Sequence, residues 1–198
     1  MNLTKYIGVI LFVTIVFSAC KEKYTPKPRG FFRIDFPEKS YHKMSENYPY
    51  SFDVADYAEI RHDPHNPNEP YWINVTVPAN SAEIHISYYE LGKSNNSNRK
   101  HLAELMEETR RLAYKHTIKA DAIEEQVFMN PADNVFGTIY RIDGNAASPM
   151  QFFLTDSTNH FLRGAFYIRE TPDIDSLQPV IDFFEPDIIR IIETTTWN

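Results

Sequence analysis

The chain is expected to fold as an α+β protein, a mainly antiparallel sheet covered by helices on both faces. Three observations carry that expectation. Segments of strict apolar/polar alternation precede and follow a mid-chain stretch of helical periodicity, and a second helical stretch closes the chain. QFFLT (151–155) and FLRGAFYI (161–168) are apolar at both odd and even positions, so both faces of those strands need cover. Long meanders with a helix on each face satisfy this order.

The elements follow in sequence. Phe32, Ile34 and Phe36 alternate with Arg33 and Asp35, which predicts a first strand. Tyr48, Tyr50, Phe52 and Val54 predict a second, with Pro49 marking an edge or a start. Tyr71, Ile73, Val75 and Val77 predict a third, and Ile84, Ile86 and Tyr88 a fourth. The stretches 37–47, RHDPHNPNEP (61–70) and GKSNNSN (92–98) read as loops. Leu102, Leu105, Met106, Thr109, Leu112, Ala113 and His116 recur at helical spacing, with Glu104, Glu107, Glu108, Arg110, Arg111 and Lys115 on the other faces. Ile123–Met129, Gly137–Ile142, Met150–Thr155 and Phe161–Ile168 predict four more strands. At the end, Ile174, Leu177, Ile181, Phe184, Ile188 and Ile191 form an apolar stripe, and Pro179 and Pro186 are expected to divide it into two short helices. The element order is similar to the α/β/α sandwich of PsbP and Mog1 proteins, by analogy only.

The first twenty residues address the protein. Lys5 precedes the apolar run Ile7–Phe17, eleven residues, too short to span a bilayer and right for the core of a signal peptide. Phe17-Ser18-Ala19-Cys20 resembles a bacterial lipobox, with Phe17 where Leu is usual. Cys20 is the chain's sole cysteine, so it has no internal disulfide partner and is the expected lipidation site. Two acyl chains already hold a protein stably on a membrane, and a lipoprotein cysteine normally carries three. Lys21 stands where an Asp would retain the protein at the inner membrane, so the outer membrane is expected. Lys21-Glu22 resembles the start of a surface-export signal and Lys23 breaks its acidic run, so the periplasmic and surface sides both stay open.

The expected organisation is a signal peptide at 1–19, a lipid anchor and tether at 20–30, and a single domain at 31–198. KEKYTPKPRG (21–30) is basic and Pro-containing and reaches about 30 Å when extended. Cleavage leaves 179 residues, enough for a real core, with fourteen Phe and twelve Tyr to fill it. The net charge of −7 becomes −8 without Lys5. That acidity excludes an electrostatic footprint for nucleic acid, and it leaves membrane attachment to lipid rather than to a basic patch.

PKPRGFFRIDFPEKSY, LAYKHTIKADAIEE, GNAASPMQFFLTDSTNHFLRGAFYI and DSLQPVIDFFEPDIIRIIETTTW together resemble the gliding-motility lipoprotein GldD family of Bacteroidetes. The resemblance covers nearly the whole mature chain. It implies a non-enzymatic outer-membrane component of gliding motility and of the associated type 9 secretion system, whose partners are other lipoproteins of that machinery.

Candidate chemistry weighs little beside that. Asp156, Ser157 and His160 are the residue types of nucleophilic catalysis, yet they occupy TDSTNH, the turn between two apolar strands, and no nucleophile elbow surrounds Ser157. His62, Asp63 and His65 offer metal-ligand types in a stiff loop with Pro64 and Pro67; a surface loop is expected and no metal or cofactor. GNAASP (144–149) has one Gly and opens no helix, so it is not a phosphate loop. Lys115, His116 and Lys119 end the mid-chain helix, where cations complement the helix dipole. Arg163 is a charge inside an apolar strand beside Gly164, with Asp156 and Glu170 as nearby partners in sequence. These four residues and His160 are the expected partner- or ligand-binding positions. Two alternatives stand beside protein docking: an envelope hydrolase built on Ser157 and His160 or on His116, and a small-ligand binder beneath the mid-chain helix.

Overall fold

The computed structural model describes residues 34–44, 47–91, 96–171 and 173–198. The signal segment, Cys20 and the tether lie outside the described residues. Asp35–Asn198 make one compact unit, and the description below concerns it.

Its centre is a seven-stranded antiparallel sheet in the order β4-β5-β6-β10-β9-β8-β7, formed by β4 (Glu59–His62), β5 (Ile73–Val77), β6 (Ala82–Glu90), β7 (Ala120–Asn130), β8 (Val135–Gly144), β9 (Met150–Thr155) and β10 (His160–Ile168). Before it, β1 (Tyr41–Lys43) pairs with β3 (Asp53–Ala55), and β2 (Tyr50–Ser51) pairs with β11 (Thr196–Trp197). Helix α1 (Asn96–Tyr114) covers one face and α2 (Ile174–Thr194) the other. This is the α+β architecture expected.

Register explains the double burial of β9 and β10. Phe161, Leu162 and Gly164 face Thr155, Leu154 and Phe152 across the ladder. On one side Phe153 and Phe161 stack at 5.4 Å and join Leu91, Leu105, Ala113, Tyr140 and Ile142 under α1. On the other, Phe166 meets Phe184 of α2 at 5.8 Å. Burying a side chain of that size is worth about 1.5–3 kcal/mol, so these two layers are the main source of stability. Gly164 is where the second layer needs room. A Cβ there would sit 2.1 Å from the Phe152 ring, so the ring folds over bare backbone.

The structure corrects the sequence expectations at four places. Ile34 and Phe36 belong to no strand; Phe36 instead stacks on Phe183 of α2 at 4.2 Å, and Phe32 lies outside the described residues. The strand expected over 48–54 is broken into β2 and β3 by Phe52, which is wholly buried. Short strands β1 and β4 occupy parts of the expected loops 37–47 and 61–70.

The fourth correction is α2, which runs unbroken through Pro179 and Pro186. A proline inside a helix removes a backbone bond and costs about 3 kcal/mol. Here the helix is held from outside: Val180, Phe184, Asp187, Ile188, Ile191 and Ile192 are buried against the sheet. Lys39 Nζ donates to the Phe183 carbonyl, next to the carbonyl that Pro186 leaves without a donor. The first turn is anchored by Asn145, whose side-chain oxygen accepts the Ile174 N–H at 2.8 Å.

Candidate functional site

The β9–β10 hairpin shows what Asp156, Ser157 and His160 do. One oxygen of Asp156 accepts the backbone N–H groups of Thr158, Asn159 and His160 at 2.8–2.9 Å, and the other accepts the Thr158 hydroxyl at 2.8 Å. Burial alone would raise its pKa, but these donors outweigh burial and hold the carboxyl below the usual range. Ser157 has φ 66° and serves as the left-handed residue of the turn. The His160 ring faces elsewhere: Nδ1 is 2.7 Å from the Tyr88 hydroxyl, and the ring stacks on Trp197 at 5.0 Å. The residue types of a triad are thus spent on closing a hairpin and docking the C-terminus.

The loop after β4 is similarly self-contained. Asp63 accepts the His65 backbone N–H at 2.9 Å and the Asn66 amide at 2.6 Å. Both ring nitrogens of His62 point at backbone carbonyls, those of Asp63 at 3.1 Å and Glu69 at 3.0 Å. A lone pair so placed is not aimed at a metal. No cluster of three or more ligand-type side chains lies among the described residues.

At the end of α1 a 3-10 turn, Lys115–Ile118, leads into β7. Lys115 and Lys119 are exposed, and the Lys119 N–H donates to the His116 carbonyl at 2.8 Å. The His116 ring is half-buried. Burial, and then the charge of Arg163, push its pKa below the ordinary histidine value. Arg163 therefore lies within electrostatic reach of His116, on the sheet face that carries α1. Its guanidinium donates to the Gln151 side-chain oxygen at 3.2 Å, while Nε is buried without a hydrogen-bond partner. Neither expected carboxylate pairs with it: Asp156 belongs to the turn, and Glu170 accepts the Ser81 hydroxyl. The fold brings His116 and Arg163 within electrostatic reach of one another, and Lys115 and Lys119 flank His116 along the chain. His160, on the opposite face of β10, is not part of this group.

Two polar constellations escaped the sequence reading. On the α1 face of β5 and β6, Asn74, Thr76 and Glu83 are buried, and Glu83 is only 3% exposed. Its carboxylate is held by Arg169 and by His85 at 3.4 Å. Burial lowers the His85 pKa even though Glu83 and Asp63 pull it upward. Beside this pair opens a groove of about 470 Å³ lined by Arg61, His62, Asn74, Thr76, Glu83 and Arg169. Glu83 and His85 fall at the polar positions of an alternating strand, which locally gives no sign of a buried acid; Arg169, just past the end of β10, is the one cation in sequence that bears on it.

The second constellation ties the N-terminal segment to α2. Asp187 accepts the Tyr41 hydroxyl at 2.7 Å and the Tyr57 hydroxyl, and pairs with Lys39 at 2.7 Å. Lys39 Nζ also lies 3.7 Å from the centre of the Phe183 ring. Burial first, then the hydrogen bond to Asp187, push Tyr41 up to about 12. Asp187 lies three residues past Phe184 on the apolar stripe, which was the one readable sign of a buried acid.

Among the described residues no helix is long and apolar enough to cross a membrane. The family model described as "Gliding motility lipoprotein GldD" matches residues 21–197. No curated protein matches the chain. Among solved structures, the chain is similar to the solution structure of cyanobacterial PsbP (CyanoP) from Synechocystis, at 9% identity over 82% of this chain and 95% of that one, with a TM-score of 0.44.

Proposed function

The chain belongs to the GldD family of gliding motility lipoproteins, and from that premise we propose that it is an outer-membrane lipoprotein that binds sister lipoproteins and so helps to assemble the gliding and type 9 secretion machinery. The family match over nearly all of the mature chain carries the reading. Cys20 is the lipidated residue, and Lys21 in place of Asp favours the outer membrane. Docking rather than hydrolysis is supported by the hairpin, where Asp156 spends both oxygens on the turn. Lys115 and Lys119, with His116 and Arg163 behind them, supply polar anchors, and His160 a separate one. Partners held on the same membrane meet at high effective concentration, so modest contacts suffice.

A clean deletion strain tests this. It should lose both spreading motility and secretion through that system, and complementation with Ser157→Ala or His160→Gln should restore both. Normal spreading in the deletion strain overturns the assignment, and failure of stable, folded Ser157→Ala protein to complement favours chemistry. Cys20→Ser should leave the membrane fraction.

A second reading has one observation behind it: the groove beside Glu83 and Arg169 has the size of a small-ligand site. Loss of function in a folded Arg169→Gln variant that still binds its protein partners would favour that reading.

A further inference from the structure

The central sheet ends in two edges of different kind. β4 is four residues long and runs into a turn containing Pro64 and Pro67, so it leaves little ladder open. β7 is eleven residues long, contains neither proline nor glycine, and pairs only with β8 among the described residues. Its outer backbone groups line an open edge of about 37 Å. The one register shift lies at its start, between Ala120 and Ala122, so no bulge interrupts the rest.

Apolar side chains gather there. Val127 is 70% exposed and Met129 69%, both on the face that carries α1, and Ile118, in the turn that enters β7, is 89% exposed. Charge adds selectivity. The strand carries Asp121, Glu124 and Glu125 and no lysine or arginine. Glu125 is engaged by Arg110 at 3.1 Å and by the Tyr114 hydroxyl at 2.7 Å, whereas Asp121 and Glu124 make no ion pair among the described residues. Edges are commonly closed to other strands by lysine or proline. This one is instead open and acidic.

We infer that the β7 edge receives an extended segment of another protein as an eighth strand, with apolar residues packing over Val127 and Met129 and lysine or arginine lying near Asp121 and Glu124. Main-chain bonds along the edge supply affinity, and alternate side chains supply choice of partner. A second copy is the poorer occupant, because self-pairing brings two acidic edges together on chains that are each net negative. The inference rests on the docking reading and names its surface and the chemistry of its partner.

Amide hydrogen exchange on the mature lipoprotein in detergent tests it, with two probe peptides of about ten residues, one alternating Val and Lys and one alternating Val and Glu. The Val/Lys peptide should slow exchange in residues 120–130 by about tenfold and the Val/Glu peptide should not. The exposed double variant Asp121→Lys/Glu124→Lys, folded by circular dichroism, should reverse that preference. Equal protection by both peptides, protection confined to another part of the chain, or protection that grows with protein concentration alone overturns the inference. In cells, normal spreading of the double variant beside a non-spreading deletion strain overturns the edge and leaves the docking role standing. Spreading by the deletion strain itself removes the role, whatever the peptides do.

Discussion

Lys39 and Asp187 meet at 2.7 Å, joining the segment before β1 to the last helix of the fold. Asp187 is buried and has three donors converging on it, while Lys39 keeps part of its surface in water. Removing the acid therefore takes the acceptor from the Tyr41 and Tyr57 hydroxyls and the counter-charge from Lys39. Asp187→Ala should destabilise by about 3 kcal/mol, and chemical denaturation reads that directly. The double variant Lys39→Met/Asp187→Leu should recover a good part of it, since an apolar pair of similar volume replaces a charged one. A double variant as unstable as Asp187→Ala would show that the network, not the stranded donors, sets the loss.

Gly164 and Phe152 make a second pair, directly opposite one another in the β10–β9 register. A Cβ at position 164 would meet the Phe152 ring at 2.1 Å, with backbone fixed on both sides by ladder bonds. Gly164→Ala should cost about 1–3 kcal/mol through overpacking. Adding Phe152→Leu should recover part of that, and a thermal-melting cycle of the four proteins measures the coupling. Additive losses would mean that the ring has room to move aside.

His116 predicts a pH dependence near neutrality. Its folded pKa lies below the ordinary value, because burial and Arg163 disfavour the imidazolium. The unfolded chain then takes up the proton first, so stability is fully present above about pH 6.5 and falls as pH drops through the lower folded value. His116→Gln should flatten that part of the profile. A ring titration followed by NMR checks the premise; a midpoint at or above the free histidine value would contradict it.

How much of this was legible in the sequence depends on whether a contact is local. Alternation located β5 and β6, and the double-sided apolarity of β9 and β10 announced two covering layers, because each strand reports its own burial. The prolines of α2 were read by their local preference, and lost to tertiary burial of Phe184 and Ile188 and to a lysine from the other end of the chain. Lys39, Tyr41, Tyr57 and Asp187 become a network only once β3 and α2 are packed together. Glu83 shows the same gap. Its place at a polar position of β6 is local, whereas its burial beside Arg169 and His85 is set by packing. Arg163 sits where a charge inside an apolar strand drew notice, but its partner is Gln151 on the neighbouring strand, which only register reveals.

Asp156 predicts an acid limit. Its carboxylate accepts three backbone N–H groups and a hydroxyl, and its folded pKa is depressed despite burial. A depressed acid contributes stability above its unfolded value, about 3.9, and that contribution disappears as pH falls through the folded value. Asp156→Ala should cost about 2 kcal/mol near neutrality, because three backbone N–H groups of the hairpin lose their shared acceptor. Asp156→Asn keeps an acceptor oxygen and should lose less, and below about pH 4 its denaturation midpoint should fall less steeply than that of the wild type. If both proteins lose stability in parallel on acidification, the carboxylate is not what closes this turn. The hairpin also aims the His160 ring at Tyr88 and Trp197. Loss of the cap should therefore also loosen the C-terminal strand, and faster exchange of the Trp197 indole N–H, which donates to the Asn134 carbonyl at 3.1 Å, is the local signal that separates this from a general loss of stability.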